Sequence, residues 1–373
     1  MVLSKACPGV KDMSPAEALH ALEQQGVLAP RTLTVAITGA CNLRCRHCWV
    51  EAGKVSSAGH VPLRTLCRLT EEFLELGGEA LRITGGEPLC HPAWLHLLGY
   101  ARSIGVHDVS LQTNGMLFTD EQVAALRSLD FPKLTIQVSL DGATAESHDL
   151  VRGAGAFDGV IAGIGALVRG GLGPATTIFF TEMRHNLLEI PELLECAAGL
   201  GIGTVTTGAL VLCGRAAGEG EIAPPEPDQY LQLLSRYERE PGFRKLYEKI
   251  GTVSALVWRF SDSPRTGCCT LVENPYLAAH GRMYPCVLCH ADGYAVSGVF
   301  DKCLAAVYRE GAPLWAALMR TSRCRADAIP ECRECPGRLT CAGGCMGRAW
   351  GSHGDLLAAD DRCEVRRSIY RLR

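Results

Sequence analysis

Three cysteines stand within eight residues of one another, as Cys41-Asn-Leu-Arg-Cys45-Arg-His-Cys48. Asn42, Arg44 and Arg46 make the stretch too polar for a core strand. Thiolates gathered this closely hold a soft metal or an iron–sulfur cluster. A cubane 4Fe-4S cluster on three cysteines keeps one iron free for another ligand. A zinc site wants a fourth Cys or His, and His47 between two of the thiols is the local choice. Three reduced, inert cysteines are the bland alternative at this spacing.

A second constellation lies near the other end: Cys332-x-x-Cys335, then Cys341-x-x-x-Cys345, then Cys363. Cys268, Cys269, Gly281 and Cys286 stand upstream of it. Eleven of the nineteen cysteines fall between Cys268 and Cys363. Such density among glycine and proline implies soft-metal sites with backbone wrapped close to the metal. A zinc ribbon would use two C-x-x-C pairs, and Cys341/Cys345 are spaced wrongly for that. Cys7, Cys67, Cys90, Cys196 and Cys213 read as apolar fillers, while Cys303 and Cys324 stay unassigned.

The elements that must position these thiols follow from periodicity. A short amphipathic helix over 14–26 would bury Ala16, Leu19, Leu22 and Val27. Apolar strands are expected at Leu33–Ile37, Ala80–Thr84, Asp108–Gln112, Leu134–Ser139, Ala175–Phe180 and Thr204–Leu210. Helices at Leu63–Leu76, Ala93–Ser103, Asp120–Leu129, Phe157–Arg169 and Ile190–Leu200 separate them. Six β/α units argue for a parallel sheet with outer helices, chemistry sitting at the strand C-terminal ends. A doubly wound sheet is the alternative on pattern alone. Residues 214–228, rich in Gly, Pro and acid, read as a linker, with helical sequence on to Val257. The expected division is a lead-in over 1–31, a barrel over 32–215, a connection over 216–260 and a cysteine-rich domain over 261–373.

At 373 residues and a net charge of −3 with both signs mixed, nothing suggests nucleic acid or a membrane surface. There is no apolar run of about 20 residues and no signal-peptide pattern, so a cytoplasmic location is expected. In such a chain many cysteines argue for metal. GAGAFDG and GGLG lack the strand–G-x-G-x-x-G–helix context of a nicotinamide or flavin site.

The Cys41/Cys45/Cys48 motif, with Trp49 after it, resembles the cluster motif of the radical S-adenosylmethionine (SAM) enzymes. The resemblance runs from about Thr34 to the C-terminus. It implies an α/β fold, a partial (β/α)6 parallel-stranded barrel followed by a small cysteine-rich cluster-binding domain. It implies SAM chelated by the open iron and cleaved by one electron to methionine and a 5′-deoxyadenosyl radical. Thr84-Gly85-Gly86-Glu87-Pro88 is similar to that family's loop for the SAM amino group, with Glu87 as an acceptor. The turn at Thr113 and Asn114, and Ser139 and Asp141 after the fourth strand, correspond to groups around the ribose. Arg152 is similar to an arginine near the SAM carboxylate, a solvated surface arginine being the plain alternative. Leu210 would pack on the adenine.

The later cysteines resemble the SPASM extension of the same family, with Gly281-x-x-x-x-Cys286 as its second element. That implies two auxiliary 4Fe-4S clusters, three in all. Cys332, Cys335, Cys341 and Cys363 would hold the distal one, and Cys286 and Cys345, with Cys268 or Cys269, the nearer one. The nearer cluster's fourth ligand stays open between the other of the adjacent pair, Cys289 and a substrate atom; an open iron there could bind a substrate thiolate or carboxylate. The resemblance implies a substrate in a ribosomally made peptide or protein, giving a thioether, a crosslink or an oxidised residue. Side-chain modification of a tetrapyrrole is the alternative. A non-enzymatic electron carrier explains the cysteines but not the strand-end motifs, and a structural zinc protein is a third class. A flavodoxin or ferredoxin electron donor is expected. The lead-in is too short for a fused peptide-recognition domain, so a separate recognition protein is the expected substitute.

Overall fold

The structure, a computed structural model, describes residues 14–50, 52–53, 59–218, 222–267 and 272–373. Helix α1 (Pro15–Gln24) starts at a Ser14/Glu17 capping box, where Ser14 Oγ accepts from Glu17 N–H and Glu17 answers to Ser14 N–H. It buries Ala18 and Leu22, one turn apart, and Val27 just beyond; Leu19 packs half-buried against the same core, and of the expected face Ala16 alone is exposed.

Strand β1 (Thr32–Ala36) opens the barrel. There follow α2 (Leu63–Glu75), β2 (Ala80–Thr84), α3 (Trp94–Ser103), β3 (Asp108–Thr113), α4 (Asp120–Ser128) and β4 (Lys133–Ser139). Two helices, α5 (Ala145–Arg152) and α6 (Ala156–Arg169), lead to β5 (Thr176–Glu182), α7 (Ile190–Gly199) and β6 (Thr204–Ala209). Neighbouring strands pair in parallel and in chain order from β1 to β6. Every crossover therefore runs the same way around, helices on one face, which is a partial barrel and excludes the doubly wound alternative. Leu33, Val35, Ile83, Val109, Leu111, Ile136, Val138 and Ile178 supply the inner core. Helix α2 meets it with Leu66, Leu69 and Phe73.

Past β6, α8 (Pro227–Arg239) and α9 (Pro241–Ile250) precede β7 (Gly251–Thr252), which pairs with β6, and α10 (Ser254–Phe260). At the opposite edge β8 (Tyr276–Leu277) adds in parallel to β1, and β9 (Met283–Tyr284) pairs with β8 antiparallel. Among the described residues the sheet thus reaches nine strands. The cysteine-rich segment continues the barrel sheet through β8. Helix α11 (Leu304–Ala328) packs on α1 and α2, and α12 (Arg338–Cys341), α13 (Met346–His353) and α14 (Cys363–Tyr370) complete the chain. No single helix of the described residues is long and apolar enough to cross a membrane.

Residues 214–218 of the expected linker lie on the barrel: Ala216 and, beyond, Ile222 join Val151, Met183 and Leu210 in a small buried cluster.

Helix α6 crosses the turn after β3 at Gly163, where an added Cβ would stand 1.9 Å from Gly115 O. Overpacking of this kind costs about 1–3 kcal/mol. Gly163→Ala should lower the unfolding free energy measured in urea by that amount. Gly165→Ala, on the same helix and facing only the end of Arg169, should be neutral or stabilise by up to about 1 kcal/mol through helix propensity.

Candidate functional site

The loop after β1 carries Cys41, Cys45 and Cys48 without regular structure, so its peptide groups need partners elsewhere. The end of β2 supplies the first. Gly86 N–H donates to Thr38 O and Glu87 N–H to Ala40 O, both at 2.7 Å. This is why Gly86 is glycine: a Cβ there would lie 2.3 Å from Ala40 O. Thr38 Oγ1 accepts from Ala40 N–H at 3.0 Å and faces His60 Nδ1 at 3.0 Å. Cys41 N–H donates to Gly53 O, closing the loop on itself. Arg215 covers the far side: its backbone N–H bonds Cys48 O, its Nε Cys45 O at 2.8 Å and its Nη1 Ala52 O at 2.8 Å.

Glu87 does not offer an open acceptor. It is 1% exposed, and its Oε1 accepts from Thr113 Oγ1 at 2.7 Å and Leu89 N–H at 3.0 Å. Its Oε2 accepts from Asn114 N–H at 2.7 Å. Burial raises its carboxyl pKa and these donors lower it, burial prevailing. The residue clamps β2 to β3. Asn114 then reaches the thiol loop, Nδ2 donating to Asn42 Oδ1 at 2.7 Å.

Asp141 and Arg152 form a buried pair, Nε to Oδ2 at 2.6 Å, with 0% and 8% of their side chains exposed. The solvated-arginine alternative is thereby overturned. Arg152 Nη1 stands 3.9 Å from Cys45 Sγ. Asp141 Oδ1 accepts from Thr181 N–H at 2.8 Å, and His47 Nε2 is 3.4 Å from Oδ2. Burial alone would raise the Asp141 pKa; Arg152, His47 and His148 overcome it and hold it at about 2. Burial takes His47 down to about 4, so it is neutral. The Asp141 carboxylate is spent on protein groups and is not free for a ribose. Ser139 is half-buried at the end of β4. Leu210 lies in the small cluster with Val151; its neighbours Val211 and Cys213 line the cavity instead. Cys213 is thus more than a filler.

That cavity, of about 670 Å³, lies between the barrel mouth and the C-terminal segment, within the roughly 300–1,000 Å³ of ligand sites. Gly85, Gly86, Thr38 and Trp49 line one side, and Tyr276, His280, His290 and Gly347 the other. His290 stacks on Tyr284 (4.4 Å, planes 8° apart) and Tyr276 (5.0 Å, 17°), and Trp49 meets it edge-on at 4.9 Å. Burial lowers its pKa to about 4. Its Nε2 is buried without a protein partner.

Cys332, Cys335, Cys341 and Cys363 line one small pocket together with Asp360, Arg366 and Tyr370. Ala342, Gly343 and Gly344 all have positive φ (50°, 80° and 74°). The glycines are required, since a Cβ on Gly344 would lie 2.4 Å from Asp360 Oδ2. Asp360 ties the thiol loops together, accepting from Cys345 N–H at 2.7 Å and Arg362 N–H at 3.0 Å, and pairing with Arg366. Arg325 Nη2 donates to Gly343 O at 2.7 Å and Ala358 O at 3.0 Å. Arg348 pins α13 to the barrel, gripping Asp361 with two bonds and donating to Ala209 O at 3.1 Å and to Leu210 O. Cys286 and Cys345 are half-buried and Cys289 fully buried. Cys268 and Cys269, and the filler Cys7, lie outside the described residues.

Cutting one partner from a buried ion pair costs about 3–5 kcal/mol, because the other charge is left unpaired. Arg152→Met should lose stability on that scale in urea unfolding. Adding Asp141→Asn, which removes the stranded charge and keeps an acceptor for Thr181 N–H, should recover part of the loss.

Residues 35–197 match the Radical SAM superfamily. The chain is similar to an AdoMet-dependent heme synthase of Methanosarcina barkeri, 29% identical over 91% of this chain and 97% of that protein. It is also similar to the mycofactocin maturase MftC of Mycobacterium tuberculosis, 33% identical over 59% of this chain and 55% of the maturase, so it spans about half of that relative's length. The MftC of Mycobacterium ulcerans is 29% identical over 91% of this chain and 89% of its own. In fold the chain is similar to anSMEcpe with bound AdoMet, at a TM-score of 0.73 and 18% identity over 92% and 96% of the two chains. It is likewise similar to Streptococcus suis SuiB bound to S-adenosylmethionine, at 0.70 and 17% over 93% and 80%. The thiol loop at the mouth of a partial barrel is thus shared ground, and residues 35–197 of this enzyme form a radical SAM domain.

Proposed function

We propose that this enzyme abstracts a hydrogen atom from a residue of a ribosomally made peptide or protein. The observation that carries the reading is the cavity. Gly39, Trp49 and Ala52, which flank the three thiols in sequence, line it with Gly85 and Gly86, and Ala36, Ala278, Ala279, Gly347 and Gly351 give much of its lining small side chains. Support comes from the maturases among its relatives and from neighbours of the same fold bound to peptides: anSMEcpe with AdoMet and the Kp18Cys peptide, and SuiB with its precursor peptide SuiA.

In this reading Cys41, Cys45 and Cys48 would hold a 4Fe-4S cluster, which would supply the electron for reductive cleavage of SAM. Burial pushes the Cys41 thiol up to about 12, so iron must displace its proton. Arg152 places a fixed positive charge beside Cys45 and favours its thiolate. Gly85 and Gly86 let the cofactor approach the strand end. Glu87, Thr113 and Asn114 hold the loop in register, and Asp141 holds Arg152. Trp49, Tyr276 and His290 wall the cavity and exclude water from a reactive centre. Cys332, Cys335, Cys341 and Cys363 hold an auxiliary cluster, and Cys286 and Cys345 belong to a second. A low-potential flavodoxin or ferredoxin supplies electrons, and a separate protein presents the peptide.

Tetrapyrrole side-chain modification is the second reading. It is favoured by the heme synthase similarity over nearly the whole of both chains and by the flat Tyr276/His290/Tyr284 stack at the cavity.

Anaerobically reconstituted enzyme given dithionite and SAM should release 5′-deoxyadenosine, and Cys45→Ala should release none. No product with the clusters intact would refute the enzymatic reading. Incubation with the peptide encoded beside the gene and, separately, with a sirohaem-derived porphyrin should change the mass of the peptide; a change in the porphyrin alone rejects the peptide in favour of the second reading.

A further inference from the structure

The chain makes three C-x-x-C turns, and the backbone closes each in the same way. Cys48 N–H donates to Cys45 O at 3.3 Å, Cys335 N–H to Cys332 O at 3.2 Å, and Cys289 N–H to Cys286 O at 3.3 Å. The first two belong to the thiol sites described above. The third, Cys286-Val287-Leu288-Cys289, follows Gly281 and β9 and runs into His290 at the cavity wall.

Its last cysteine has the surroundings of a ligand. The N–H two residues on, that of Ala291, opposes the rise that burial imposes on the Cys289 thiol. At Cys41 the Leu43 N–H does the same, reaching Sγ at 3.4 Å. Backbone N–H groups aimed at sulfur stabilise thiolates and tune the clusters they hold. Cys289 also lies within electrostatic reach of Cys345. The reason is a tight contact: α13, which begins just after Cys345, lays Gly347 on the turn, where an added Cβ would stand 2.3 Å from Leu288 O and 2.9 Å from Cys289 N. The turn that carries Cys286 and Cys289 and the helix that begins after Cys345 are thereby packed against each other.

We propose that Cys289, together with Cys286 and Cys345, ligates the nearer auxiliary cluster. Cys289 takes the place of the second, separated upstream cysteine of the SPASM pattern, where this sequence has the adjacent Cys268-Cys269. Iron takes the place of the thiol proton, which leaves to solvent. The inference rests on the auxiliary-cluster part of the proposed function and is independent of the SAM cluster.

The competing role is packing, since Cys289 is 0% exposed within the main core. Valine matches its volume without a sulfur and separates the two. In the full chain carrying Cys41, Cys45 and Cys48→Ala, all remaining iron is auxiliary. Cys289→Val should then lose about half of the iron and sulfide after anaerobic reconstitution and one of two electron paramagnetic resonance signals, with circular dichroism unchanged. Cys335→Ala should remove the other signal, and Cys196→Val, on α7, neither. The exchange in the otherwise unaltered chain, where the loss would be about a third, guards against misfolding of the multiple variant. Iron and spectra unchanged in Cys289→Val overturn the proposal. A Cys41/Cys45/Cys48→Ala chain that takes up no iron overturns the auxiliary clusters themselves and this ligand with them.

Discussion

The loop that carries Cys41, Cys45 and Cys48 is neither helix nor strand. Its peptide groups are nonetheless packed into a barrel mouth, where each unpaired carbonyl costs about 1–3 kcal/mol. The architecture of the barrel end answers this constraint. β2 lends two N–H groups through Gly86 and Glu87. β3 lends Asn114, whose amide reaches Asn42. The stretch after β6 lends Arg215, which takes two loop carbonyls from more than 160 residues away in sequence. Parallel strands in chain order make this economical, because all their C-terminal ends arrive at the same rim.

Buried charge is the second recurring device. Arg152 sits beside Cys45, Arg366 in the pocket of Cys332, Cys335, Cys341 and Cys363, and each is neutralised by one carboxylate, Asp141 or Asp360. The carboxylates also accept backbone N–H groups, which pays the desolvation of both partners. An arginine so held keeps its charge under all conditions in which the fold persists. The thiolates and any sulfide between them would otherwise gather negative charge in a low-dielectric interior. A fixed guanidinium next to each site opposes that repulsion without consuming a ligand position.

The six main strands and five of their helices were legible because each spans a full apolar period; observed bounds differ from expectation by two residues or fewer. The thiol motifs were legible by spacing. What escaped were elements too short to show a period, β7, β8 and β9 at two residues each, and so the continuity of the sheet into the cysteine-rich segment. Helix α5 was hidden because its pattern runs into α6 across only three residues. The partners of Glu87 and Asp141 could not be read either. A carboxylate after a glycine-rich turn looks the same in sequence whether it faces a ligand or a neighbouring strand, and only the strand order shows that Thr113 and Asn114 stand next to Glu87. Cys286-x-x-Cys289 is legible by spacing, but the Gly281-x-x-x-x-Cys286 element accounts for Cys286 alone and leaves Cys289 as one of three choices for a fourth ligand.

The placement of β8 gives the cavity its two sides. Strand β1 ends in the thiol loop, and β8 lies against it on the side opposite β2. Tyr276 therefore comes to Trp49, with ring centroids 5.6 Å apart. Without β8 the first strand would be a sheet edge with open N–H and C=O groups beside the most reactive part of the molecule. With it, the edge passes to β9, the short antiparallel partner, and the turn after β9 carries Cys286 and Cys289 back to the same rim. Arg348 fixes the other side by fastening α13 to the end of β6. The wall of the cavity is thus strung between the first and sixth strands of the barrel. A change that loosened either anchor would alter the distance between the two thiol sites and the volume between them together, because one short strand and one arginine set both.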